Sequence, residues 1–457
     1  MNQDTEQNIV EQAVEMPLVD IIIGHLNAHE NEQISTALEA LHAAEIAVLL
    51  ESMPQELRQQ LWLLLPAGVE GEVLKYLGDQ ARNNIVNHME QDAVVAATES
   101  MDTQHLAELI DELPTPISGV ILESLSADRR ERIDSALAFE EGTAGRLMST
   151  DVISVRKDVS IAVVLRYLRL LKPLPAHMDA VMVTDEKGIY QGKLTLLDAL
   201  SEPPSTIVSE VMDELSDVIL ASASEHEVSM LFSRRDLISV AVVNESNQLL
   251  GRITFDDALA IMKAEADKAI LASAGLNEDE GLFAPILSSA KRRAVWLGIN
   301  LITVFMAAWV IGQFEEALDK IVALAVLMPI VASMGGIAGS QTLTLTIRGL
   351  ALGQISGSNL RWLGNKELAV GLLNGVAWAL VVSVVTYLWF SDIGISLIIG
   401  AAMLLNLVAA AFSGVVIPVV LDRMKIDPAL SGAVVLTTVT DIIGFLSFLG
   451  LATIFLL

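Results

Sequence analysis

The chain lacks cysteine throughout its 457 residues, which excludes disulfides, thiolate zinc sites and cysteine nucleophiles. It is also poor in basic side chains: 28 Lys and Arg stand against 57 Asp and Glu, a formal charge of −29. Nothing resembles the basic patch that phosphate neutralisation requires, so nucleic acid is not an expected partner. The opening segment MNQDTEQNIVEQ has neither the basic nor the apolar part of a secretory leader, and the N-terminus is expected to stay in the cytosol. No P-loop, nucleophile elbow or paired acid and base is present, so an enzyme is not expected. The carboxylate excess instead suits a divalent cation.

What is present divides the chain in two. A mean hydropathy of +0.53 is too high for a purely soluble acidic protein. The charge is concentrated in residues 1–285, with 19 basic and 49 acidic side chains, whereas residues 286–457 hold 9 and 8. After Arg293 come uncharged stretches at Ala294–Phe314, Ile321–Ile347, Leu368–Ser391 and Ile393–Leu421, then Pro428–Leu457 with Asp441 as its single charge. A helix needs about 20 residues to cross a bilayer, so five transmembrane helices are expected. Lys291, Arg292, Arg293, Arg348, Arg361, Lys366, Arg423 and Lys425 fall in alternate loops, which places the N-terminus inside and the C-terminus outside.

Two features of this half point beyond anchoring. The second span carries MPIVASMGGIAGSQTLTLT, where Pro329, Gly335, Gly336 and Gly339 loosen helix bonding or permit close approach of another backbone. Ordinary glycine-mediated packing would explain them equally well. The fifth span carries Asp441 after Thr437, Thr438 and Thr440. A carboxylate at mid-membrane costs about 2.5–3.5 kcal/mol on insertion scales, so it is expected to face a polar path or partner.

In the soluble half, residues 18 to 137 show apolar positions recurring at three and four with Pro and Gly breaks, the pattern of a superhelix of short helices. His25, His29, His42, His88 and His105 are scattered without metal-ligand spacing. Residues 148 to 262 contain a repeat. VMVTDEKGIYQGKLTLLDAL (181–200) aligns with VAVVNESNQLLGRITFDDAL (240–259), sharing Gly192/Gly251, Thr195/Thr254 and Asp198/Asp257. Each unit reads as strand, acidic turn, strand and helix. The Thr-x-x-Asp at its end either caps the helix or contacts a nucleotide ribose.

Together these pieces resemble the MgtE family of magnesium transporters. The duplicated G-x-[LI]-T-x-x-D units look like a tandem CBS pair. The phrase EEGTAGRLMS (140–149) looks like the family's junction between helical domain and CBS pair. MPIVASMGGIAGSQTLTLTIRGLALG and DPALSGAVVLTTVTDIIG resemble its two membrane signatures.

The resemblance implies a multidomain fold: an all-α superhelical N domain over 1–137, an α/β CBS pair over 138–255, a linking helix over 256–285 and a five-helix transmembrane α domain over 286–457. It implies a homodimeric Mg²⁺ channel of the bacterial plasma (inner) membrane, with a pore lined by the second and fifth spans. Asp441, Thr437, Thr438, Gly336 and Gln341 would be the pore residues. Asp256, Asp257, Glu265, Asp267 and Asp427 would be regulatory Mg²⁺ ligands. Thr195, Asp198, Thr254 and Asp257 are the candidates for ATP at the CBS pair. Ile337 stands where the family usually has asparagine, and Ala433 and Val434 replace its usual glycine or asparagine and the following proline. Ala260, Lys268 and Ala269 stand where it tends to have acids. Transport of another divalent ion such as Co²⁺, or a membrane-anchored CBS sensor without transport, are the alternatives.

Overall fold

Short helices fill the first part of the chain, and Pro or Gly stands at several of the breaks between them, as at Pro54, Pro66, Gly78 and Pro114. In the computed structural model, which describes residues 18–66, 68–99, 101, 103–171, 174, 175, 177–276 and 282–457, they run from Leu18–Ala28 to Ala127–Leu137. The opening segment and residues 277–281 of the expected linking segment lie outside the described residues. Pro54 and Pro114 stand at the N-caps of Gln55–Trp62 and Thr115–Ser124. Ile22, Leu38, Leu50, Leu74, Ile85, Leu106 and Ile133 join one apolar core.

Arginines close the helix ends. Arg58 donates to the Leu50 and Met53 carbonyls at 2.9 and 3.1 Å. Arg82 donates to those of Leu74 and Leu77 at 3.2 and 2.7 Å. Arg129 donates to Thr98, Glu99 and Met101. Each guanidinium meets the unsatisfied carbonyls and partial negative charge of an earlier helix's C-terminal end.

The sequence repeat folds twice in the same way. One sheet has the order β1 (Ser154–Arg156), β2 (Ala180–Thr184), β3 (Tyr190–Thr195). The other has β4 (Val218–Leu220), β5 (Ser239–Val243), β6 (Leu249–Thr254). In both, the first pair is parallel and the second antiparallel. Ala180 pairs with Thr195 and Ser239 with Thr254, and a register shift follows Val183 and Val242. The hairpin tips meet, with Tyr190 N donating to Asn247 O at 2.9 Å and Leu249 N to Gly188 O at 3.0 Å.

Each hairpin turns on a side-chain acceptor at the corresponding position. Asp185 Oδ1 accepts from the amides of Lys187 and Ile189, and Asn244 Oδ1 accepts from those of Ser246 and Gln248. The Ile189 amide bond, then that of Lys187, holds the Asp185 carboxyl below its ordinary pKa. A depressed acid contributes stability above the usual carboxylate range and loses it as pH falls through the native value. Asp185→Asn keeps the turn, as Asn244 does. It should lower the melting temperature slightly at neutral pH, where the charged carboxylate contributes, and flatten its decline below about pH 4. An unchanged acid limb would show that this turn contributes nothing there.

The phrase EEGTAGRLMS straps the helices to the repeat. Ala144 N and Gly145 N donate to Ala223 O and Ala221 O at 2.7 and 2.8 Å. A Cβ at Gly145 would run into the Phe139 ring. Arg146, buried, donates to Asp111 Oδ2 at 2.8 Å and to the Ala107 carbonyl at 3.2 Å.

A helix over Phe255–Ser273 follows β6 and covers the first part of the linking helix expected over 256–285. It ends in a Schellman turn, with Leu276 N bonded to Leu271 O and Gly275 N to Ala272 O, and Gly275 takes the φ of +73° that the turn requires.

Contacts divide the chain into two compact units, Met1–Glu265 with Gly281–Ala284 and Ala266–Glu280 with Pro285–Leu457. Among the described residues, the second holds five helices long and apolar enough to cross a membrane: Ile286–Gly312, Val322–Ala351, Leu360–Phe390, Ile393–Arg423 and Pro428–Leu456. They overrun the uncharged stretches, because backbone hydrogen bonding continues past the last apolar residue. Thus Lys291, Arg361, Lys366 and Glu367 lie inside helices. The fourth span is the central one, packing on the second, third and fifth, while the first packs on the fifth.

Candidate functional site

The second span has two unlike faces. Gly335, Gly339, Thr342, Leu343 and Thr346 are buried, and a Cβ on Gly414 of the fourth span would lie 2.9 Å from the Gly339 carbonyl. Small residues therefore bring the two helices together. On the other face, residues spaced by four, Gly336, Ser340 and Thr344 with Ile337, Gln341 and Leu345 beside them, line an open groove of about 750 Å³ completed by Thr437 of the fifth span. Gln341, Thr344 and Thr437 are exposed. Amide and hydroxyl groups on an open face at membrane depth require water, an ion or another polar surface.

The threonine hydroxyls have a defined polarity. Thr437 Oγ1 donates to the carbonyls of Ala433 and Val434 at 3.0 and 3.1 Å, and Thr438 Oγ1 to that of Val434 at 2.7 Å. With its hydrogen directed into the backbone, such an oxygen presents only lone pairs, which suit a cation or its waters. Asp441 follows Thr437 by four residues on the same face, about 6 Å along the axis. It is partly exposed. Of the five expected pore residues, the structure brings Gly336, Gln341 and Thr437 into the groove; Asp441 and Thr438 are not among its lining residues. The same spacing of four along the second span places Ser340 and Thr344 there with Gly336.

Two buried polar residues were missed. Asn406, fully buried on the fourth span, donates from Nδ2 to the Val331 carbonyl of the second span at 2.8 Å, and its Oδ1 has no hydrogen-bond partner among the described residues. Glu367, 3 % exposed, lies in the third span's first turns.

The expected regulatory acids have partners within the chain. Asp256 lies 3.2 Å from His177 Nδ1. Glu265 accepts from Ser229 Oγ at 3.0 Å and contacts His226 Nδ1 at 3.1 Å. Asp257 accepts from Thr254 N and Oγ1 at 2.9 and 2.7 Å. Asp427 caps the fifth span through Ala429 N at 2.8 Å, while Asp267 is exposed. Among the described residues, no three His, Asp or Glu side chains come together to hold a metal. In the first repeat, Thr195 and Asp198 bond reciprocally across the start of helix Leu196–Ser201, with Thr195 Oγ1 donating to Asp198 Oδ2 at 2.5 Å and accepting from Asp198 N at 3.1 Å.

This is a multi-pass membrane protein with a polar groove along two of its spans and a duplicated α/β module in its soluble half. A family model described as a divalent cation transporter, MgtE, matches residues 328–451, and one described as the MgtE intracellular N domain matches residues 41–142. The chain belongs to the MgtE family. It is 25% identical over 423 residues to a magnesium transporter MgtE of Bacillus subtilis, covering 92% of this chain and 93% of that protein. It is 27% identical over 436 residues to that of Thermus thermophilus, covering 94% and 97%. Among solved structures, the cytosolic domain of the Mg²⁺ channel MgtE in complex with ATP aligns with 25% identity over 53% of this chain and all of that one, at a TM-score of 0.49.

Proposed function

We propose that the chain transports Mg²⁺ across the bacterial plasma membrane as a homodimer, with the ion passing along the groove of the second and fifth spans. The observation that carries this reading is the polar stripe Ser340–Gln341–Thr344–Thr437, which opens on the side of a single chain. A second copy facing it would enclose the stripe in a water-filled path. Mg²⁺ sheds water reluctantly, so such a path is expected to hold the hydrated ion, with hydroxyl and amide oxygens meeting its waters. Asp441 from each copy would supply the two charges that balance the ion. The positive loops favour a cytosolic N-terminus.

The soluble half would sense Mg²⁺ through its acids. Its charge of −30 over residues 1–285 makes compaction unfavourable until cations screen it. A ligand shifts a conformational equilibrium only by binding one state more tightly. Because Asp256, Asp257, Glu265 and Asp427 are already engaged, Mg²⁺ must compete for them, so protection of the soluble half from protease should rise only in the millimolar range. Flat protection through that range would exclude this regulation. The Thr195–Asp198 and Thr254–Asp257 pairs favour helix capping over a ribose contact, and ATP binding there would require those bonds to open.

The reading is tested by Mg²⁺ uptake into proteoliposomes carrying the purified chain. Uptake above empty vesicles supports transport; its absence from a folded, inserted protein leaves the sensor alternative.

A further inference from the structure

Glu367 is a carboxylate where a helix can least accommodate one. It shares a face of the third span with Gly371 and Gly375, one and two turns on, and all three are buried. A Cβ at Gly371 would lie 3.2 Å from the Leu407 carbonyl of the fourth span, so this face is pressed against its neighbour. The third span packs closely on the fourth and touches the second only slightly. Yet the acid reaches the second span: Thr342 Oγ1 donates to Glu367 Oε2 at 3.1 Å, while Lys366 Nζ meets Oε1 at 2.5 Å. An exposed ammonium thus neutralises an acid that is spent, on its other oxygen, in holding a threonine of the groove helix.

A cavity of about 140 Å³ lies beside this bond, lined by Ala338, Gln341, Thr342, Leu345, Glu367 and Asn374 among others. Gln341 and Leu345 also line the groove, so the cavity is directly behind the groove wall. Close-packed interiors resist displacement, whereas a wall backed by space can turn into it. The adjacent Gln341 moves with Thr342, because successive residues of one helix turn together.

We propose that Glu367 is a positioning residue for the conduction path: through Thr342 it fixes the rotation of the second span, so that Ser340 and Thr344 face the groove rather than the cavity. The inference rests on the groove being the path, and it assigns to the third span, which contributes nothing to the groove lining, the task of setting it. The strength of the tie comes from charge: a hydroxyl bonded to a carboxylate holds more firmly than one bonded to a neutral acceptor, and more so away from water.

The chain's lack of cysteine makes the test direct. Single cysteines at Ser340, Thr344 and Ala338 report the two faces by their rates of labelling with a water-soluble maleimide in membranes. In the parent, Ser340→Cys and Thr344→Cys should react quickly and Ala338→Cys slowly. Thr342→Val, nearly isosteric but without the donor, should narrow this difference by about tenfold, and Glu367→Leu should do the same. Thr342→Ser retains the donor and should keep the parent pattern, while Glu367→Gln retains an acceptor without the charge and should fall between the parent and Glu367→Leu. A merely structural role would lower folded protein and labelling at all three positions alike, leaving the ratio unchanged. An unchanged ratio in folded Thr342→Val overturns the inference alone. A parent without rapid labelling at Ser340 and Thr344 overturns the groove reading, and the inference with it.

Discussion

Asp441→Ala is expected to abolish Mg²⁺ uptake while leaving a folded, membrane-inserted protein. The fifth span has no other charge, so nothing else on it attracts a cation by monopole. Each pair of unit charges about 4 Å apart contributes roughly 4 kcal/mol at an effective dielectric near 20, close to a thousandfold in binding. The threonine hydroxyls offer only dipoles in its place. Asp441→Asn separates charge from shape: it keeps size and hydrogen bonding and should still lose most of the flux. Asp441→Glu retains the charge and should retain part of it. Folding should survive every replacement, because Asp441 is only partly buried and removing a membrane carboxylate relieves desolvation. Proteoliposome uptake at matched protein density reads the result. Parental uptake by the alanine variant would remove Asp441 from the ion's path.

Gly335→Ala should strongly destabilise the membrane half. A Cβ there would collide with the Asn406 side chain, which also sits 2.8 Å from where a Cβ on Gly444 would be. Asn406 therefore occupies a seam among the second, fourth and fifth spans that only glycines leave open. Moving it breaks the 2.8 Å bond from Nδ2 to the Val331 carbonyl. Overpacking and a stranded buried amide together should cost about 2–4 kcal/mol. Gly336→Ala is the internal control, because nothing lies within 4 Å of its added methyl. Thermal melts in detergent followed by size-exclusion should show a large fall for Gly335→Ala and almost none for Gly336→Ala. Equal falls would mean the seam does not hold the bundle.

These residues show what the sequence discloses and what it hides. The five spans were readable because bilayer thickness imposes a length that few soluble segments mimic. The repeat was readable because duplication left Gly192/Gly251 and Asp198/Asp257 in register, and the two sheets reproduce it strand for strand. Asp441 and Thr437 stood out by chemistry against an apolar background. Glu367 did not, because reading spans as uncharged runs ends the third one at that residue; only the spacing Glu367–Gly371–Gly375 marks it as inward-facing. Asn406 was hidden differently, since an uncharged polar residue does not interrupt an apolar run. Asp256 and Glu265 read as free acids because their partners, His177 and His226, are distant in the chain. Burial, phase and long-range pairing decide such cases, and a linear pattern encodes only the first two.

The central claim is that Mg²⁺ crosses the membrane along the groove lined by Gln341, Thr344 and Thr437. It is tested most directly by measuring Mg²⁺ uptake through Thr344→Cys before and after reaction with a positively charged, water-soluble thiol reagent. The parent has no cysteine and serves as the unreactive control. A fixed positive group in the groove both narrows it and repels the ion, so uptake should fall to the level of empty vesicles and return on reduction. Uptake that persists at full modification of Thr344→Cys would contradict the account.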